Sequence, residues 1–213
     1  MIDGVIKYHV SHTQIPTPAF AAFPDLEALR CRLFALGLIG KTPDGIGYGN
    51  LSFRNQGERE FTITATQTGK QPALKPAEYI RITDYNFDTF TVYSKGEFKP
   101  SSEALSHAMI YEVHPDIQAV IHVHSKPLWQ MMIDTDALAT TAEYGTADMV
   151  HEIANLYQSR DPFKHNAFVM KGHEDGIITF GKTIQQAELK LYHIIQTYLD
   201  KLKSNGINND SAT

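Results

Sequence analysis

The stretch SSEALSHAMIYEVHPDIQAVIHVHS, residues 101–125, decides the fold. Its first half reads as a helix whose first turn is set by Ser101 or Ser102 and which cannot continue normally into Pro115. Its second half, QAVIHVHS, reads as a strand. Successive strand side chains point to opposite faces, so His122 and His124 project on one side and Ile121 and Val123 on the other. Two imidazoles on one face can share a cation. The alternative is that both are polar residues on the exposed face of an antiparallel strand.

Outward from this pair, His173 stands in KGHEDG, at the turn between the strands AFVMKG and IITFG, and loop ends beside strands are where sites are usually built. Read alone, it is an ordinary turn histidine. Three histidines with an open position, or with a carboxylate that comes and goes, match the ligand count of a catalytic rather than a structural zinc. Glu103 sits in the first turn of the helix, where the helix dipole also favours a carboxylate for structural reasons. His107, one turn on, is expected as a hydrogen-bond neighbour of Glu103 or as a group behind the ligands.

The same helix start offers free N–H groups and two hydroxyls, a usual setting for an anion. TQTGK adds Thr68 and Gly69, where a glycine lets backbone approach a ligand. GYGNLSFR adds Asn50, whose amide is a donor to the same anion. Each also reads as a plain turn, with Gly47 and Gly49 supplying positive φ and Asn50 tying off its own loop.

The remaining chain supplies a sheet and its covering helices. PDLEALRCRLFALGLIG places Leu26, Leu29, Leu33 and Leu36 on one helical stripe, with Asp25 as candidate cap. NLSFRN, EFTITAT, YIRITD and FTVYSKG are short β-branched and aromatic runs, expected as strands. TADMVHEIANLYQS is a helix opening at Thr146, with Met149, Val150, Ile153 and Leu156 apolar. The last helix opens at Thr183, turns Ile184, Ala187, Leu191, Ile194, Tyr198 and Leu202 inward, and stops near Gly206. The order predicts one α/β domain at residues 25–206 with a mostly antiparallel sheet. An extended arm at residues 1–24 and a polar tail at 207–213 flank it.

Composition narrows the partners. Lys and Arg number 19 against 24 Asp and Glu, a net charge of −5 with no basic block, so neither nucleic acid nor a membrane surface is expected. A small molecule is the natural partner. Cys31 is the only cysteine, which excludes an intrachain disulfide and a thiolate metal site and fits the cytoplasm. No run of eighteen apolar residues and no leader pattern occurs.

The ordered set GNLSFR, TQTG, SSEALSHAMIYEVHPDIQAVIHVHS, GHEDGIITFG and AELKLYHII resembles the class II aldolase/adducin family, from about Asp25 to the final helix. The resemblance implies a three-layer α/β/α domain and zinc on His122, His124 and His173, another divalent metal being the alternative. It implies Glu103 as catalytic acid/base and Asn50, Thr68, Gly69, Ser101 and Ser102 around a phosphate. It further implies a homotetramer and retro-aldol cleavage of a small phosphorylated ketose or related hydroxy-carbonyl compound. Epimerisation, dehydration and a non-catalytic adducin-like binding role share the pattern. Epimerase-like relatives tend to carry Asp after the paired serines, so Glu103 favours lyase chemistry. One departure stands out: the segment between His124 and Thr146 is shorter than in the family's aldolases, where it carries a tyrosine that protonates the leaving aldehyde. Tyr144 is no safe substitute, so the proton donor is unassigned, and Glu174 replaces a glycine common in relatives.

Overall fold

The central strands are apolar on both sides, so helices cover both faces of the sheet. The computed structural model describes residues 5–17, 20–55 and 57–210, with side chains described as far as Ser204. The strands are β1 His9–Gln14, β2 Gly40–Lys41, β3 Gly47–Tyr48, β4 Asn50–Phe53, β5 Phe61–Thr64 and β6 Tyr79–Asn86, followed by β7 Thr91–Gly96, β8 Ala119–His124, β9 Ala139–Thr140, β10 Ala167–Met170 and β11 Gly176–Gly181. The helices are α1 Phe23–Ala35, α2 Ala104–Val113, α3 Lys126–Asp134, α4 Ala147–Tyr157 and α5 Ile184–Asp210. Among the described residues, nine strands form one sheet in the order β1-β7-β6-β5-β4-β8-β11-β10-β9, and β2 pairs with β3 apart from it. Of the pairings described in that sheet, only the two outermost, β1 with β7 and β9 with β10, are parallel.

Strand parity divides the core. On β8, Val120 joins Phe61, Ile178, Phe180 and the inner faces of α2 and α4. Ile121 and Val123 join Leu51, Val169, Ile177 and the inner faces of α1, α3 and α5. The result is the expected three-layer α/β/α domain with a mostly antiparallel sheet.

Helix ends differ from the expectation in instructive ways. Ala22, not Asp25, is the N-cap of α1, and Asp25 lies in the first turn, where the dipole favours it. Leu36 is the C-cap residue and is 58% exposed, so the buried stripe ends at Leu33; Gly37 follows at φ +71° and turns the chain away. The cap of α2 is Glu103 rather than a serine, and Ser101 Oγ instead accepts a 3.3 Å bond from Glu103 N. This helix stops at Val113 because His114 takes the extended backbone that the residue before a proline prefers. Its end is closed by Arg54, whose guanidinium donates to the carbonyls of Tyr111 and His114 at 2.8 Å and of Ile117 at 2.7 Å. Thr146 caps α4 as expected, accepting from Met149 N at 3.3 Å.

Within α5, Leu202 is 49% exposed rather than buried, and the helix runs on past Gly206 to Asp210. Burial ends near Ile194, so the helix outlasts the surface that it packs on. Residues 211–213 of the expected tail lie outside the described residues. The expected arm contains β1, which pairs along the outer edge of β7 of the same chain, and its residues 1–4, 18 and 19 lie outside the described set. Helix α3 was not expected. Pro127 in its first turn and Leu128, Met131 and Met132 facing the core are its sequence signal. Among the described residues no helix is long and apolar enough to cross a membrane.

Candidate metal centre

Register in the middle of the sheet places the site. On β8, His122 stands opposite Asn50 of β4 and Ile178 of β11, and His124 stands opposite Gly176. His173 lies in the turn entering β11, a turn closed by a 3.0 Å bond from Gly176 N to His173 O. One nitrogen from each of His122, His124 and His173 lies within 4.8 Å of the others. The Nε2 atoms of His122 and His124 are 3.0 Å apart. Two nitrogens on one tetrahedral zinc at the usual bond length sit about 3.3 Å apart, so this spacing suits a shared cation. His122 Nδ1 lies 3.3 Å from the Ile177 carbonyl, and donating a proton there leaves the Nε2 lone pair for a metal. Three imidazoles thus fit a divalent metal of the first transition row.

Glu103 closes the cluster from the helix side. Its Oε2 is 3.1 Å from His122 Nε2 and accepts a 2.7 Å bond from Asn50 Nδ2, while Oε1 is 3.6 Å from His173 Nδ1. Burial pushes this carboxyl up, but the positive charge that His122 can carry, the polar contact and charge of His173 and the Asn50 amide hold it well below the usual carboxylate range. It is therefore ionised at neutral pH. His107 does not bond to the Glu103 side chain. Its Nδ1 meets Ser52 Oγ at 2.7 Å, and complete burial lowers its pKa to about 3.

The nine candidate site residues line one narrow cleft of about 20 Å³: Glu103, the three histidines, Asn50, Thr68, Gly69, Ser101 and Ser102. Their local reasons differ from those expected. Asn50 spends its amide on Glu103, not on the open cleft. Thr68, in a short 3-10 turn, donates its hydroxyl to the Ala65 carbonyl at 2.7 Å, and Arg30 donates to its carbonyl at 2.8 Å. Gly69 answers to packing: a Cβ there would lie 2.2 Å from Tyr48 O and 2.6 Å from Tyr48 N. Gly49 has the positive φ expected, +80°. Gly47 does not, and is small because a Cβ would stand 3.1 Å from the Gln67 backbone.

Three further neighbours complete the surroundings, of which Tyr48 and Gln67 escaped the sequence reading and Tyr144 was weighed there only as a proton donor. Tyr48 lies with its ring 5.0 Å from that of His124. Gln67 lines the cleft at φ +61° and accepts from Gly47 N at 3.0 Å. Tyr144 packs its ring 4.6 Å from that of His173, while its hydroxyl accepts from Val5 N at 3.3 Å. No sequence signal marks a left-handed glutamine, whereas GYG beside a strand was a legible hint for Tyr48.

Known proteins share both the sequence pattern and the fold. The family model described as Class II Aldolase and Adducin N-terminal domain matches residues 41–198. An L-fuculose 1-phosphate aldolase structure is similar at 20% identity, covering 89% of this chain and 89% of that one, with a TM-score of 0.62. The L-fuculose-1-phosphate aldolase from Thermus thermophilus is 18% identical over 90% of this chain and 96% of its own, with a TM-score of 0.60. A sugar-phosphate aldolase from Thermotoga maritima is 16% identical over 86% and 94%, with a TM-score of 0.63. These structures share the fold, and the family match spans most of the sequence. The chain belongs to the class II aldolase and adducin N-terminal domain family.

Proposed function

We propose that the protein is a zinc-dependent aldehyde-lyase that cleaves a small phosphorylated ketose, or a related hydroxy-carbonyl compound, by a retro-aldol step. The observation that carries this reading is the buried Glu103 carboxylate set against the three clustered histidines, 3.1 Å from His122 Nε2 and 3.6 Å from His173 Nδ1. Zinc held by His122, His124 and His173 supplies Lewis acidity toward the substrate's carbonyl group. Of the two carboxylate oxygens, Oε2 accepts the Asn50 amide, so Oε1 is the atom that exchanges protons with substrate. It takes the proton of the substrate hydroxyl as the carbon–carbon bond breaks. The carbinol carbon leaves as an aldehyde, the electron pair stays with the carbonyl fragment, and a proton returned to that fragment completes the product.

Thr68, Gly69, Ser101 and Ser102 form the phosphate cradle in this reading, supported by their place around the start of α2, where the dipole and N–H groups favour an anion. Asn50 serves chiefly to aim Glu103. The similar folds carrying sugar-phosphate aldolase names support the substrate class. The same resemblance supports a homotetramer, which sedimentation would check, and the lone cysteine supports a cytoplasmic protein.

The test is aldehyde release from a panel of ketose phosphates by zinc-loaded protein, with Glu103→Gln alongside. Release by the wild type that drops at least about a hundredfold in the variant is the expected result. Turnover indifferent to Glu103→Gln, or zinc content indifferent to His122→Ala and His124→Ala, sinks the reading.

A further inference from the structure

Two residues of the N-terminal segment, upstream of the family-matched residues 41–198, grip the frame of the cleft. Buried Tyr8 donates its hydroxyl to the Ser101 carbonyl at 2.6 Å. That carbonyl also accepts from Ala104 N at 3.1 Å, Ser101 N donates to Thr64 O at 3.2 Å, and Ser101 Oγ accepts from Glu103 N at 3.3 Å. Three of these ties come from β5 and the start of α2. Tyr8 supplies the one from outside, on the residue whose turn delivers Glu103.

The second grip falls on Tyr144. Lys7 Nζ stands 3.8 Å above its ring, donates to its carbonyl at 2.9 Å and pairs with Glu143 Oε1 at 2.7 Å. The Tyr144 ring in turn lies 4.6 Å from the His173 ring. There is little slack around this contact. A Cβ at Gly172 would lie 2.1 Å from the Ala142 carbonyl oxygen, and one at Gly145, already at φ +66°, would lie 3.2 Å from Ser102 O. Residues 142–145 are therefore held between the N-terminal segment and the turn that carries His173.

We propose that Lys7 and Tyr8 are positioning residues of the site: Tyr8 sets the Ser101–Glu103 turn, and Lys7, through Tyr144, sets the His173 imidazole. The inference rests on the reading of those residues as anion cradle and metal ligands. Groups behind a metal ligand typically change affinity by about 10- to 100-fold when removed, because a ring left free to turn no longer presents its lone pair. A cation on an aromatic face is also a directional contact, which an uncharged chain of similar length does not replace.

Cobalt(II) serves as probe, since its visible absorption reports ligand geometry independently of turnover. Lys7→Met is expected to weaken cobalt binding about tenfold and to shift the absorption bands, with Lys7→Arg restoring both. Tyr8→Phe is expected to leave cobalt affinity and spectrum intact while weakening inorganic phosphate binding to the cobalt-loaded protein about tenfold. Lower melting temperatures with unchanged spectrum, cobalt affinity and phosphate affinity overturn the proposal, since that is the pattern of merely structural contacts. A wild-type protein that binds no phosphate overturns the assignment of Tyr8. If the cobalt and phosphate effects appear but no ketose phosphate is cleaved, the lyase reading falls and the positioning role stands.

Discussion

Asn50 Nδ2 donates to Glu103 Oε2 across 2.7 Å, and this contact is the first rung of a ladder joining β4 to α2. The next residue on that face of the strand, Ser52, meets His107 Nδ1 and Tyr111 OH, both at 2.7 Å. Arg54 then donates to the carbonyls of Tyr111 and His114. Two strand residues advance about 6.6 Å and four helix residues about 6.0 Å, so the rungs stay in step. The Glu103 carboxylate is thereby fixed along the whole helix as well as by its immediate neighbours.

Truncating the first rung isolates a buried charge. Asn50→Ala is expected to cost about 1–3 kcal/mol, the range for a buried group stripped of its partner. Urea unfolding in the presence of EDTA measures it without interference from metal. A cost near zero would show that Glu103 finds another donor.

The second rung gives stability a pH dependence. The folded-state pKa of His107, near 3, lies below the ordinary value near 6.5 because burial opposes the charge. Between those values the unfolded chain binds the extra proton, so stability falls as pH drops through about 6.5 toward 3. From pH 7 to pH 5 this residue alone removes about 2 kcal/mol. His107→Gln, which cannot titrate, is expected to show a pH 7-to-5 loss smaller than wild type by about that amount in urea midpoints. Equal losses in the two proteins would contradict it.

Gly69→Ala probes the packing of the cradle. The new methyl would meet the Tyr48 backbone at 2.2 Å, and backbone yields less than a side-chain tip. The expected destabilisation is about 1–3 kcal/mol, measured by thermal unfolding. Gly57, at φ +77° with nothing within 4 Å of the built Cβ, is the control for backbone strain without a clash.

His122 and His124 should part company in metal-free protein. His122 is buried and bonded toward Ile177 O, Glu103 and His124, whereas His124 is partly exposed. With EDTA present, His122→Ala is expected to be less stable than His124→Ala by about 1–3 kcal/mol. Zinc titration is expected to show both with strongly reduced affinity. Equal stabilities in EDTA would mean that the His122 contacts add nothing without a cation.

The site was legible where chain geometry is local, and less so where it depends on what the chain meets later. Alternation placed His122 and His124 on one face, a loop end beside strands flagged His173, a helix start flagged Ser101–Glu103, and only the family resemblance joined them into one candidate site. The true partner of His107 was hidden because Ser52 is distant in sequence, and an i,i+4 neighbour is the only one that spacing can offer. For Gly69 the residue was flagged but its reason was not, since the Tyr48 backbone arrives from a hairpin. The strand β1 was illegible because HVSHTQ, at the sheet edge, carries a single apolar residue, Val10, too few to show an alternating pattern. For α3, two methionines and a proline lay in a segment read as a truncation.

His124 pairs directly with Gly176, and His122 with Ile178, so the two strands that carry or flank every imidazole are stitched into one ladder. His122 and His124 are thus set by strand pairing that needs no ion. On the proposed metal reading, uptake is a capture step and not a folding step: loading should proceed without a slow phase, and chelators should strip the ion while the domain stays folded.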